Sequence, residues 1–99
     1  MTLLSPQVQD ALANWSRQLV ALNGAAPNTV AAYLSDVTGY LQFLALHRGG
    51  AEGLAALAAL PQGDLRAWMA HERGRGLSAR SLARSLSSVK SFTAWVADR

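Results

Sequence analysis

Arg80, Arg84, Ser87 and Ser91 follow one another at i, i+4, i+7 and i+11 in the stretch Leu77–Phe92, LSARSLARSLSSVKSF, which has six serines, three basic residues and no acid. On a helix that spacing forms one longitudinal stripe. Arginine presents a planar fork of donors that fits phosphate oxygens, or the O6/N7 edge of guanine, in bidentate fashion. Serine is short, so it donates a hydrogen bond without holding the helix away from a groove wall. Ser81, with Ser78, lies near the start of this helix, where free N–H groups can hold a phosphate. Lys90 stands at one edge of the stripe. The chemistry on offer is polyanion binding. The plainer assignment is a solvated face, but serine is a middling helix former and a poor choice for mere solubility.

The charge distribution points the same way. The net charge is only +3, yet Arg73, Arg75, Arg80, Arg84 and Lys90 fall within residues 73–97 without one acid. In residues 1–50, Arg17 and Arg48 are balanced by Asp10 and Asp36. A local field of one sign attracts a polyanion.

Helical spacing positions these groups, and no period-2 strand appears. Ser5-Pro6 opens a first helix, with Val8, Leu12, Trp15 and Leu19 on its apolar side and Asn23-Gly24 as its stop. A second helix follows Pro27 and runs to about His47. Its buried stripe is Val30, Leu34, Val37, Leu41 and Leu44, flanked by Tyr33 and Tyr40. Its other face carries Ala31, Ala32, Ser35, Thr38 and Gly39, small enough for another body to approach the backbone closely. HRGGAEGLAALAALPQG is a connection with a short helical segment expected around Leu54–Leu60. A third helix begins near Pro61, with Asp64 suited to the dipole of its first turn and Leu65, Trp68 and Met69 inward. RGRG ends it. A fourth begins after Ser78 as N-cap and runs to about Ala97, with Leu82, Leu86, Val89, Phe92 and Val96 inward. Arg84 thereby faces away from the core, so Arg84→Ala is expected to weaken DNA binding and leave thermal stability almost unchanged.

Catalytic and metal chemistry find little here. There is no cysteine, and the two histidines, His47 and His71, have no ligand partner at helical spacing. GRG at 74–76 reads as a turn, since the glycine pattern of a phosphate loop is missing. No cofactor is expected. Trp95 falls near the arginine–serine stripe, as a cover for whatever follows Arg99. The start lacks a signal-peptide pattern, and no apolar run approaches a membrane span, which suits a cytoplasmic protein. With 99 residues, 51 % of them hydrophobic, the expectation is one all-α domain over 1–99, a compact bundle of four main helices.

Two segments resemble the amino-terminal, core-binding domain of tyrosine recombinases. PNTVAAYLSDVTGYLQFL (27–44) matches that family's second-helix pattern at Pro27, Thr29, Val30, Tyr33, Asp36, Val37, Tyr40, Leu41, Phe43 and Leu44. RGRGLSARSLARSLSSVKSFTAWV (73–96) is similar to its closing helix, matching at Gly76, Leu77, Ser78, Ser81, Leu82, Arg84, Leu86, Ser87, Val89, Lys90 and Phe92. DLRAWMAHERGRG (64–76) fits the helix between. The likeness is greatest to the Xer group and its XerC branch.

This resemblance implies a SAM-like four-helix domain that forms one half of a clamp on duplex DNA. Its second and fourth helices would cross the major groove. It also implies a separate carboxy-terminal catalytic domain, absent from this chain, so this chain would bind DNA without cutting it. The full-length protein would act in chromosome dimer resolution, as a synapsed tetramer of two related subunits, with the first helix in subunit contacts. Arg80 and Arg84 are the expected principal DNA contacts, supported by Ser87, Ser91, Lys90 and Ser81, with Thr29 and Ser35 on the second helix. That helix departs from the family in carrying Ala31, Leu34, Ser35 and Thr38 where arginines are common, and Ala26 replaces the usual serine cap. The alternative is a helical protein–protein interaction module without DNA binding. A small-molecule-binding bundle is more remote, for no interior polar cluster is evident in the sequence.

Overall fold

The structure, a computed structural model, describes residues 6–47 and 62–98. Four helices account for nearly all of them: α1 (Pro6–Asn23), α2 (Pro27–His47), α3 (Gln62–Gly74) and α4 (Ala79–Ala97). No strand occurs among the described residues. The helical segment expected around Leu54–Leu60 lies outside them.

Local chemistry sets the helix ends. Pro6 is the first residue of α1, where a missing N–H breaks no intrahelical bond. Gly24 closes that helix at φ +62, a conformation that costs a Cβ-bearing residue energy. Its N–H donates to the Val20 carbonyl at 3.1 Å, and that of Ala25 to the Leu19 carbonyl at 3.2 Å. Gly76, at φ +86, performs the reversal between α3 and α4, so the turn expected at GRG falls on Arg75-Gly76, Gly74 being the last residue of α3. Ser78 caps α4 in extended conformation, and its Oγ accepts from the Ser81 N–H at 3.2 Å.

The core lies where α1, α2 and α4 converge. Trp15, 2 % exposed, stacks near Tyr33 with ring centroids 6.4 Å apart and meets the Phe92 ring edge-on at 5.3 Å. Val8, Leu12, Leu19, Val37, Leu41, Leu44, Val89 and Val96 complete this centre. α3 joins through Trp68, whose ring meets Tyr40 edge-on at 5.1 Å. Burying a large apolar side chain contributes roughly 1.5–3 kcal/mol, so these rings dominate the packing energy.

Several inward assignments change, Val30 and Leu34 of the expected α2 stripe being only half-buried. Tyr40, expected on a flank, is fully buried because α3 covers it with Trp68. Leu86, expected in the core, is only half-buried, since it lines a groove between α3 and α4. Ser85 and Ser88 are buried instead, as α4 turns its serine-bearing side toward α2 and α3.

Candidate nucleic-acid interface

Asp36 is the only Asp, Glu, Lys or Arg in α2, and α4 passes directly over it. Arg84 Nε donates to Asp36 Oδ2 and Arg84 Nη2 to Oδ1, each at 2.9 Å, a bidentate fork between two helices. The Asp36 side chain is 8 % exposed and that of Arg84 44 %. Ser88, with no exposed surface, has its hydroxyl proton within reach of Asp36 Oδ2 at 3.0 Å and the Arg84 carbonyl at 2.9 Å. The carboxylate, by hydrogen bond first and charge second, raises the Arg84 guanidinium above its ordinary pKa. The outward placement of Arg84 holds, for the residue is exposed, but its inner edge is held against a nearly buried carboxylate.

A second ion pair lies close by. Glu72, 6 % exposed, accepts from Arg75 Nη1 at 2.6 Å. Both pairs line one cleft of about 280 Å³, with Ser35, Gly39, Trp68 and Ser81 among its other walls. The Trp68 Nε1–H is buried there without a hydrogen-bond partner. A Cβ at Gly39 would meet nothing within 4 Å, so this side of α2 is open as its small residues predict. The fourth helix carries no acid of its own, yet the fold supplies two from α2 and α3. Of Arg73, Arg75, Arg80, Arg84 and Lys90, two are thereby compensated. Arg73, Arg80 and Lys90 make no ion pair among the described residues.

The other expected contacts divide. Arg80 and Ser87 are exposed on the Arg84 side of α4, as their spacing implies. Ser35 is exposed and joins the cleft; Thr29 is exposed in the first turn of α2 and does not line it. Ser81 does line it, while its Oγ accepts from the Ser78 hydroxyl at 3.2 Å as part of the α4 cap. Ser91 is half-buried and accepts from Trp15 Nε1 at 3.3 Å, tying α4 to α1. Trp95 packs on Phe92 and donates through Nε1 to Gln18 Oε1 at 2.8 Å, so α1 already occupies its polar edge. Lys90 is brought to a separate groove of about 460 Å³ between α3 and α4, with Arg66, Arg73, Leu65, Met69 and Leu86.

Sequence reasoning missed Asp36 and Glu72 as partners of the arginines. One sign was available for Asp36, a lone acid in a 21-residue helix that otherwise lacks charged residues. A half-buried helix with one carboxylate generally has a cation nearby. Nothing local distinguishes Ser88 from Ser87, whose fates differ because successive positions lie 100° apart on the wheel.

Among the described residues there is no group of His, Cys, Asp or Glu able to hold a metal ion, and no helix long and apolar enough to cross a membrane. The arrangement presents oriented hydrogen-bond donors beside an open stretch of helix backbone.

Comparison with known proteins bears on what that surface meets. The phage integrase N-terminal SAM-like domain matches residues 12–99. A tyrosine recombinase XerC of Rhodospirillum centenum is 42 % identical over 94 residues, covering 95 % of this chain and 27 % of that protein. The XerC of Mesorhizobium japonicum is 37 % identical over 87 residues, 88 % of this chain and 28 % of that protein. That of Methylobacterium sp. 4-46 is 43 % identical over 88 residues, 86 % and 26 %. The chain thus spans about a quarter of the length of these relatives. No solved structure matches it.

Proposed function

The chain belongs to the phage integrase N-terminal SAM-like domain family, and from that premise we propose that it binds duplex DNA in the cytoplasm as the amino-terminal clamp domain of a Xer-type site-specific recombinase. One observation supports this reading above the others: the open face of α2 at Ser35 and Gly39 borders the same cleft as Arg84, with Arg80 one turn away on α4. An α-helix with a small-residue surface and flanking guanidinium groups fits the major groove. Arg80 supplies an uncompensated charge for phosphate, and Ser87 a short donor. Lys90 and Thr29 are outlying contacts, reached only where the duplex extends beyond the cleft. The hydroxyl of Ser81 is shared with the cap, and Ser91 acts through the bundle.

Strand cleavage and rejoining, chromosome dimer resolution and the tetrameric synapse belong to the proposal at the level of the whole recombinase. Val20 and Leu22, 52 % and 72 % exposed near the end of α1, support a contact of that helix with related subunits. The test is a titration of a 30-bp Xer-type recombination-site duplex with the chain at several salt concentrations. Log K is expected to fall linearly with log salt, by about 0.9 for each phosphate neutralised. Absent or salt-independent binding would overturn the reading.

A further inference from the structure

The five cations of the basic segment are not equivalent, and the difference lies in their counter-charges. Arg80 is a solvent-facing cation with no ion partner among the described residues. Arg84 is half of a pair whose acid is nearly buried. Asp36 occupies its Nε and one Nη2 hydrogen, on the side edge of the guanidinium. The donors left over are the two on Nη1 and the outer one on Nη2. The outer Nη2 hydrogen and the Nη1 hydrogen beside it form the end-on edge, the one that meets two acceptors side by side. Ser88 and Ser85 are buried beneath, so the pair is backed by protein and the fork cannot swing freely.

An oriented end-on fork with its charge cancelled suits an uncharged acceptor pair better than a phosphate. A phosphate at the end-on edge would lie close to the Asp36 carboxylate, with Glu72 lining the same cleft. The repulsion offsets most of what the guanidinium offers. Guanine O6 and N7 are a neutral acceptor pair with the matching spacing. We propose, resting on the DNA-binding reading above, that Arg84 reads a guanine edge as a compensated fork positioned by Asp36 and Ser88, while Arg80 engages phosphate as an uncompensated cation. Arg84 is then the specificity-determining residue of this surface and Asp36 its positioning residue.

Salt dependence separates the two roles, because a cancelled charge releases no counterion on binding. The probes are a 30-bp duplex enriched by the chain itself from a randomised pool and a scrambled duplex of the same composition. Arg80→Ala is expected to weaken both alike and to make the log–log salt slope shallower by about 0.9. Arg84→Ala, made together with Asp36→Asn so that no carboxylate is left uncovered, is expected to weaken the enriched duplex roughly ten- to a hundredfold, erase its preference over the scrambled one, and leave the slope unchanged. Asp36→Asn keeps an acceptor but uncovers the charge; the slope should steepen by about 0.9 and the preference should fall. Because variants at the pair can also loosen the fold, wild-type chain is titrated on enriched duplexes with 7-deazaguanine placed at one guanine after another. One such replacement, which deletes N7 alone, should reproduce most of the loss seen in the double variant.

A slope shallower by about 0.9 in the Arg84→Ala/Asp36→Asn double variant, with equal loss on both duplexes, would make Arg84 a phosphate contact and overturn the inference. So would enrichment of no sequence, or no effect of 7-deazaguanine at any position. These outcomes leave DNA binding itself standing. Failure of the wild-type chain to bind any duplex would remove both readings together.

Discussion

The cleft between α2, α3 and α4 and the groove between α3 and α4 both take cations from the same short basic segment, yet only the cleft sets acids against them. In the cleft, Arg84 and Arg75 each face a nearly buried carboxylate. In the groove, Arg66, Arg73 and Lys90 surround Leu65, Met69 and Leu86 with no acid among the lining residues. The type of cation does not separate the two regions; the placement of Asp36 and Glu72 does. A cation's worth to the fold depends on what it leaves behind when removed. A groove cation leaves only solvated surface, whereas Arg84 leaves a carboxylate that water barely reaches.

The sharpest break of that contrast is Arg84→Ala. An exposed pair contributes about 0.2–1 kcal/mol, and breaking a fully buried one costs about 3–5 kcal/mol. With the Asp36 side chain 8 % and the Arg84 side chain 44 % exposed, an intermediate loss of about 1–2 kcal/mol is expected. In a domain of this size that lowers the melting temperature by roughly 5–15 °C in a circular-dichroism melt. This departs from the nearly unchanged stability expected from the helical wheel, and the melt decides between the two. A raised guanidinium pKa means the contribution of Arg84 is fully present below the unfolded value and lost only as pH rises through the folded one. The loss should accordingly be the same from about pH 6 to about pH 9. An unmoved melting temperature would show that Asp36 hydrates readily without its partner.

Ser91→Ala sharpens the comparison from within α4. Ser91 accepts from the indole of Trp15, which is 2 % exposed, so its removal strands a buried donor. A loss of about 1 kcal/mol is expected in urea unfolding, with an unchanged m value. Ser87→Ala, exposed one turn earlier, provides the control and should differ from wild type by less than about 0.5 kcal/mol. Arg73→Ala and Lys90→Ala are expected to have the smallest effects, within about 0.5 kcal/mol in the same measurement. A loss above about 1 kcal/mol at either would mean that the α3–α4 groove holds its cations by more than solvation.

How much of this was readable beforehand follows the range of the interactions. Helix limits at Pro6, Gly24, Gly76 and Ser78 depend on one or two residues each, and all four were legible. Trp15, Val89 and Phe92 were placed inward by periodicity alone. The 3.6-residue wheel also ordered Arg80, Arg84 and Ser87 correctly along α4. It could not report that Asp36, 48 positions earlier, ends up beneath Arg84. Nor could it anticipate that α3 covers Tyr40 while leaving Leu86 half-open, because both depend on where a third helix crosses. The acid-free run was a true property of the segment and an incomplete description of the surface.

The placement of the tryptophans gives the molecule an internal optical reporter. Trp68 forms part of the cleft wall, whereas Trp15 sits against Tyr33 and Phe92 in the packing shared with α1. Filling the cleft perturbs the first chromophore and leaves the second in its dry surroundings, while loss of the bundle exposes both. With Trp95 and either of these two indoles replaced by phenylalanine, the emission of the one that remains distinguishes occupancy from unfolding in one cuvette, without a label.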